Sequence, residues 1–573
     1  MLSLPLRTLA VAICATLMPM ARAQSPAAET KPVYSVQGVV RNSLTHQPIP
    51  RALVESNSAA TLTDSEGHFE LSLPEGIAAI SVRRPGYNVR GQDSNHAVNV
   101  TASTPDLTFT LTPEAAITGH VTLSTGEPAS GITFMAYLRT LFEGHERWIT
   151  ANSVATDSEG TFRMSNLETP GLWVVCSAPQ EDRDGIRAAR SHAPAIVGYP
   201  STCFPGPIPV SAERAPANAL TLAPGEQADL DIALTRQPFY RVAIAAPSET
   251  GTGTGTGTVD FEIHDLTGRI LGFSPEWNFQ KGQAEVYLPS GQYYAVANFA
   301  AGESFRYGRV DFRVGAKPLT GIIVTPLPLH PIPVEIHKDF TATAQSGERS
   351  EFMKAFASQA NSPGLNLTFI SAEATIGVVS GGALNRRPGS SSFQLSNVLP
   401  GRYWVRAYPY EGYVASITSG ATDLTRQPLE VGPANSALPV EITLRNDSGQ
   451  IACTVVRPQS DDPASGANGG EMNVSWVYAI PTSQTVSQIP QGQGILQKQE
   501  PITIPNLAPG TYRIVAFDQY QQIDLNNPQQ LAEIASRGQT VTVTPSGTAS
   551  VQVELIHASS ASPNEDAESG AQD

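Results

Sequence analysis

Hydrophobic and polar residues alternate with a period of two along much of this chain. Tyr34-Ser35-Val36-Gln37-Gly38-Val39-Val40, Leu107-Thr108-Phe109-Thr110-Leu111, Asp229-Leu230-Asp231-Ile232-Ala233-Leu234 and Val440-Glu441-Ile442-Thr443-Leu444 are clear instances. Each run puts apolar side chains on one face and polar ones on the other, as a strand half-buried on a core does. Between such runs one phrase returns five times. Leu73-Pro74-Glu75-Gly76 leads into Ala78-Ala79-Ile80-Ser81-Val82, and Asn166-Leu167-Glu168-Thr169-Pro170-Gly171 into Trp173-Val174-Val175. Leu288-Pro289-Ser290-Gly291 precedes Tyr293-Tyr294-Ala295-Val296, and Asn397-Val398-Leu399-Pro400-Gly401 precedes Tyr403-Trp404-Val405. The last copy is Asn506-Leu507-Ala508-Pro509-Gly510 before Tyr512-Arg513-Ile514-Val515. Pro sets φ near −65° and Gly accepts positive φ, so the phrase is a turn. The aromatic and β-branched residues after it suit a pleated strand. The returns are roughly 90–120 residues apart, the length of one sandwich domain.

The pattern predicts an all-β chain, a tandem array of about five Ig-like or transthyretin-like β-sandwiches. The expected boundaries are residues 33–113, 114–236 with a long loop over about 180–218, 237–328, 329–446 and 447–557. Short helices are expected at 350–359 and 528–537, the second with Pro528 at its start and Gly538 just past its end. The first two domains share Thr63-Asp64-Ser65-Glu66-Gly67-His68-Phe69 and Thr156-Asp157-Ser158-Glu159-Gly160-Thr161-Phe162. Asp at the first position and Gly at the fourth make a type I turn. The third domain lacks that motif with its Phe and is assigned from periodicity and the Pro-Ser-Gly phrase. Its alternating Gly-Thr tract at 251–258 reads as a flexible hairpin loop and not a phosphate loop, since no Gly-Lys-Ser/Thr follows.

The order Gly38-x-Val40, Gln47-Pro48-Ile49-Pro50-x-Ala52-x-Val54, Thr63-Asp64-x-x-Gly67-x-Phe69, Leu73-Pro74-x-Gly76 and Pro85-Gly86-Tyr87 resembles the carboxypeptidase regulatory-like domain. That domain is a small transthyretin-like sandwich of the carbohydrate-binding-like fold group. The match is close over 33–113 and looser over 114–236. Tyr199-Pro200 leading to Ala223-Pro224-Gly225-Glu226, and Tyr413-Val414-Ala415-Ser416-Ile417, look like multi-domain secreted bacterial members. The resemblance implies a fold and a carbohydrate ligand, and names no chemistry.

Composition fits this reading. Gly 47 and Pro 46 exceed the ordinary share, as many turns between short strands require. The formal net charge of −16 opposes binding to nucleic acid or to anionic membranes. Residues 1–23 read as a signal peptide, with Arg7, a short apolar core from Leu9 to Met18, and a small-x-small site at Ala21-Arg22-Ala23. No later stretch is long and apolar enough for a transmembrane anchor, so the expected location is secreted, periplasmic or cell-surface. Residues 558–573 carry Glu565, Asp566, Glu568 and Asp573 without a base and read as a disordered tail. In an oxidising compartment Cys176 and Cys203, which fall in one predicted domain, form the natural disulfide, with two buried thiols as the alternative. Cys453 sits in an apolar run and points to a core.

No catalytic motif, metal-ligand spacing or cofactor fingerprint is present. His145, near Glu143 and Glu146, reads as an exposed loop residue. The two Asp-Ser-Glu-Gly turns are too short for a twelve-residue calcium loop and read as structural. Trp173 and Trp404 follow Pro-Gly turns, where core packing or sheet-face exposure is equally natural, whereas Trp148 and Trp277 look like loop positions and are the candidate ligand-binding aromatics. The sequence therefore points to a non-enzymatic exported protein with a polysaccharide or cell-envelope partner. The alternatives are a spacer without ligand and an accessory component of a secreted peptidase or glycosidase system. It does not specify an oligomeric state.

Overall fold

The structure, a computed structural model, describes residues 32–88, 95–142, 145–181, 195–209, 219–245, 258–272, 276–278, 283–301, 304–341, 364–373, 375–376, 383–386, 392–456, 474–482, 491–496, 501–518, 521, 523 and 528–556. The expected signal peptide, the Gly-Thr tract up to residue 257, the 350–359 helix and the 558–573 tail lie outside them. Strand is the dominant secondary structure of the described residues, and the helix Pro528–Arg537 forms as its Pro and Gly punctuation predicts.

One plan recurs five times. An opening strand pairs antiparallel with the strand after the first turn and parallel with the closing strand. In the first sandwich Val33–Asn42 lies between His68–Pro74 and Leu107–Leu111. Ala115–Thr122 lies between Thr161–Leu167 and Gln227–Ala233. Gln237–Ala245, Ile332–Asp339 and Gly449–Val456 repeat the arrangement. Each opening strand contributes to its own apolar cluster, through Val36, Ile117, Val242, Val334 and Ile451 respectively. Burial in the strand His68–Pro74 alternates residue by residue, which is the period the sequence carries.

The shared motifs have local physical causes. Gly38 faces Phe69 across the strands, and Gly119 faces Phe162. A Cβ on Gly119 would come 2.2 Å from a Phe162 ring carbon, so the ring lies directly over the glycine. The Thr before each Asp is buried and bridges two backbone groups: Thr63 Oγ1 accepts from Ala52 N at 2.8 Å and donates to Ile49 O at 2.7 Å. Thr156 does the same between Ile132 N and Ala129 O. The Asp carboxylate then closes the turn, Asp64 Oδ1 accepting from Glu66 N and His68 N.

The Pro-Gly phrase also has a mechanical reason. The tyrosine two residues past the glycine folds back, and its hydroxyl donates to a carbonyl four residues upstream. The pairs are Tyr293 to Pro289 at 3.1 Å, Tyr403 to Leu399 at 2.9 Å and Tyr512 to Ala508 at 2.7 Å. The ring passes so close to the turn that a Cβ on Gly291 would sit 2.7 Å from the Tyr293 hydroxyl. Asn166, Asn397 and Asn506 hold φ of 58–62°, a left-handed conformation that Asn tolerates better than most residues.

Two expectations change. The third sandwich does contain the Asp-x-x-Gly turn, at Asp265-Leu266-Thr267-Gly268. Asp265 Oδ1 accepts from Thr267 N and Arg269 N, and Gly268 N donates to Asp265 O, as at Asp64 and Asp157. An Ile in place of the Phe hid it. The 180–218 region is also more than a loop: Gln180–Glu181 and Ala195–Tyr199 join the sheet of the third sandwich, and Cys203–Phe204 returns to that of the second.

Candidate functional site

A cluster of charged and aromatic side chains lies where the second, third and fourth sandwiches meet. Its base is the outer strand His145–Ala155 of the second sandwich. Burial there corrects the expected loop. His145 is half-buried within the strand, Arg147 is 3% exposed and Trp148 is 0% exposed. The apolar cluster around Trp148 contains Tyr137, Val174, Cys176 and Ile208, with Ile376 of the fourth sandwich packed against it. The Trp148 indole therefore presents no face to a dissolved ligand.

A segment of the fourth sandwich covers this strand and also contacts the third. Trp148 N donates to Thr375 O at 3.0 Å, and Trp148 and Ile376 form a parallel bridge. The Arg147 guanidinium donates to the Ser371 carbonyl. Thr375 N and Ile376 N both donate to Thr267 O, at 3.2 and 3.1 Å, so the segment also grips the Asp265 turn. That turn is stiffened by the Asp265–Arg269 ion pair at 3.0 Å, and Arg269 Nη1 reaches Cys203 Sγ at 3.5 Å. At the upper rim the His145 ring stacks on Trp404 with centroids 4.5 Å apart and planes at 16°. Arg406 Nη2 lies 3.1 Å from His145 Nε2. Burial, with Arg406 and Arg147 nearby, pulls the imidazole down to about 4 from its ordinary 6.5.

Cys176 and Cys203 are disulfide-bonded and lie in the same cluster. The bond ties the returning end of the 180–204 arm to its departure strand, after the arm has added Ala195–Tyr199 to the neighbouring sheet. Ser177 and Ser201–Thr202 reinforce the return: Ser201 Oγ donates to Ser177 O at 2.6 Å and Thr202 N to Ser177 Oγ at 2.9 Å. Cys453 is in no disulfide and is buried in the core of the fifth sandwich.

Of the remaining tryptophans, Trp173 is buried at 1% exposure. Trp404 is half-buried against His145, and Trp476 packs on a satellite cluster of the fifth sandwich. Trp277 lies on the strand Glu276–Asn278, opposite Ala284, and not in a loop; its side chain is outside the described residues. A separate open groove of about 570 Å³ crosses the outer face of the second sandwich, lined by residues including Thr118, His120, Asp157, Arg163 and Asp229. Two of its acids, Asp157 and Asp229, are already engaged. Asp157 accepts from Thr161 Oγ1 at 2.6 Å and from the Thr161 and Glu159 amides, which holds its carboxyl below the usual range. The Thr118 hydroxyl and Gln227 amide do the same for Asp229. These groups are ionised hydrogen-bond acceptors and are not poised for proton transfer. Among the described residues no group of three His, Cys, Asp or Glu side chains is arranged to hold a metal ion, and no described helix is long and apolar enough to cross a membrane.

No protein-family model and no curated protein matches the chain. Solved structures that share the β-rich architecture include a streptococcal ancillary pilin, 10% identical with a TM-score of 0.16 over 51% of this chain and 98% of that one. The Bacillus anthracis TIE protein is 9% identical, covering 93% and 76% of the two chains at a TM-score of 0.15. The full-length major pilin SpaD from Corynebacterium diphtheriae is 14% identical, covering 52% and 81% at 0.12. At such scores the likeness carries no argument, and the fold rests on the chain's own sheets.

Proposed function

We propose that the protein is an exported, non-enzymatic scaffold: five sandwiches at 33–113, 114–236, 237–328, 329–446 and 447–557, with the middle three held as one stiff block. The observation that carries this reading is the three-way junction, where Trp148, Arg147 and His145 are covered by residues 371–376, Trp404 and Arg406. A strand shared between sheets, backbone hydrogen bonds and a disulfide fix relative orientation more firmly than linkers do. Stiffness is what a spacer or display protein needs. The signal-like N-terminus and the disulfide favour a location outside the cytoplasm.

Relation to the carboxypeptidase regulatory-like sandwiches is the finer part of the reading, supported by the Gly38–Phe69 and Gly119–Phe162 pairs and the Asp turns. Carbohydrate binding is the second reading, and the open groove over Thr118, Arg163 and Asp229 is the surface that favours it. The test combines limited proteolysis with a glycan array on the mature protein. The scaffold reading expects residues 114–446 to survive as one unit, with loops nicked, and the array to stay silent. Release of separate second and fourth sandwiches under native, non-reducing conditions would overturn it. Array binding lost on Arg163→Ala would move the function to the groove.

A further inference from the structure

The contact between His145 and Arg406 has one sense only. A guanidinium donates and never accepts, so at 3.1 Å the His145 Nε2 must offer a lone pair, and any ring proton sits on Nδ1. Protonating Nε2 would turn an acceptor into a donor facing a donor, and would place a second cation against Arg406. Arg147 adds a further positive charge from the same strand. The carboxylate beside it, Glu146, is committed to an ion pair with Arg139 of the neighbouring strand. Burial keeps the imidazole partly out of water, which further disfavours its charged form.

We propose that the junction is an acid-opened clasp: protonation of His145 releases Trp404 and Arg406 and frees the fourth sandwich from the second, while each sandwich stays folded. This rests on the scaffold reading, because it needs a docked junction to open. The sign follows from the group. Docked, the imidazole titrates at about 4; undocked, near 6.5. Docking is therefore undiminished above pH 6.5 and weakens as pH falls toward 4, below which the loss levels off. Two to three pH units of difference, discounted because His145 keeps some contact with water, shift the docking equilibrium about 10–100-fold toward the open form. The consequence for an exported protein is a domain array that is stiff in neutral surroundings and jointed in acidic ones.

Hydrogen exchange of the full-length protein tests this, with rates corrected for the intrinsic pH dependence. The amide of Trp148 reports the junction, since its hydrogen bond to Thr375 O crosses from the second sandwich to the fourth. Between pH 7 and pH 4 its protection should fall about 10–100-fold, while amides in the sandwich cores, such as Ile117 and Val334, keep theirs. The variant His145→Gln offers a neutral acceptor to Arg406 and should keep its junction protection at both pH values. Equal protection of the wild type at pH 7 and pH 4 would overturn the clasp alone, as would a wild-type fall reproduced in His145→Gln. A Trp148 amide already unprotected at pH 7 would overturn the scaffold reading and the clasp with it.

Discussion

Replacing Gly119 by Ala should destabilise the second sandwich. The added methyl would come 2.2 and 2.4 Å from two carbons of the Phe162 ring, where ordinary carbon contacts are about 3.5–4.0 Å. The ring must therefore retreat by more than about 1 Å. It has little room, being 5% exposed and stacked on Phe134 at 4.8 Å with planes 16° apart. Forcing one methyl into such a place costs about 1–3 kcal/mol. Against this, Ala stiffens the unfolded chain and returns roughly 0.4–1 kcal/mol. The net expectation is a loss of about 1–2 kcal/mol, confined to the second sandwich. Native-state hydrogen exchange on Ile117 and Phe162 amides reads it, because a five-sandwich chain does not unfold in one step. The double variant Gly119→Ala/Phe162→Leu should recover part of the loss, and Gly315→Ala, whose Cβ meets nothing within 4 Å, should lose none. A Gly119→Ala protein as stable as its parent would refute the claim that the Gly-x-Val and Asp-x-x-Gly-x-Phe motifs exist to seat one ring on one glycine.

Thr156→Val should cost about 1–3 kcal/mol in the same assay, because Ile132 N and Ala129 O each lose a buried partner. Tyr512→Phe should destabilise the fifth sandwich by about 1–3 kcal/mol through the orphaned Ala508 carbonyl, measured by the exchange of Ile514. In alkali, stability should fall from about pH 10 to pH 12, followed by circular dichroism: the unfolded chain ionises its tyrosines near 10 while burial holds Tyr293, Tyr294 and Tyr413 up to about 12. Thiol counting on denatured, unreduced protein beginning at Gln24 should find one reactive group, Cys453, and three after reduction.

The sandwich plan was legible because its determinants are local. Alternation along Leu107–Leu111 and the Pro-Gly turns follow from strand period and φ preference alone. The Asp265 turn is hard to read from the sequence because Ile270 stands where the other two motifs have Phe, although what closes the turn is the Asp carboxylate and the positive φ of Gly268. His145 and Trp148 were misplaced for a different reason. Polar neighbours such as Glu146 and Arg147 make the stretch read as a loop, and besides Tyr137, Val174 and Cys176 of its own sandwich the groups that cover it include Ser371, Ile376 and Arg406, more than 200 positions away. No periodicity encodes such a contact. The arm through Ala195–Tyr199 was hidden likewise, since its partner strand belongs to the next sandwich.

The account's central claim is that the second and fourth sandwiches are held in one fixed relation at neutral pH. Pulsed electron–electron resonance between spin labels on the exposed positions Ser153→Cys and Glu441→Cys measures that relation in the full-length protein. A docked junction predicts one narrow distance distribution at pH 7.5 that broadens in Trp404→Ala/Arg406→Ala. A distribution already as broad in the parent protein as in that variant would contradict it.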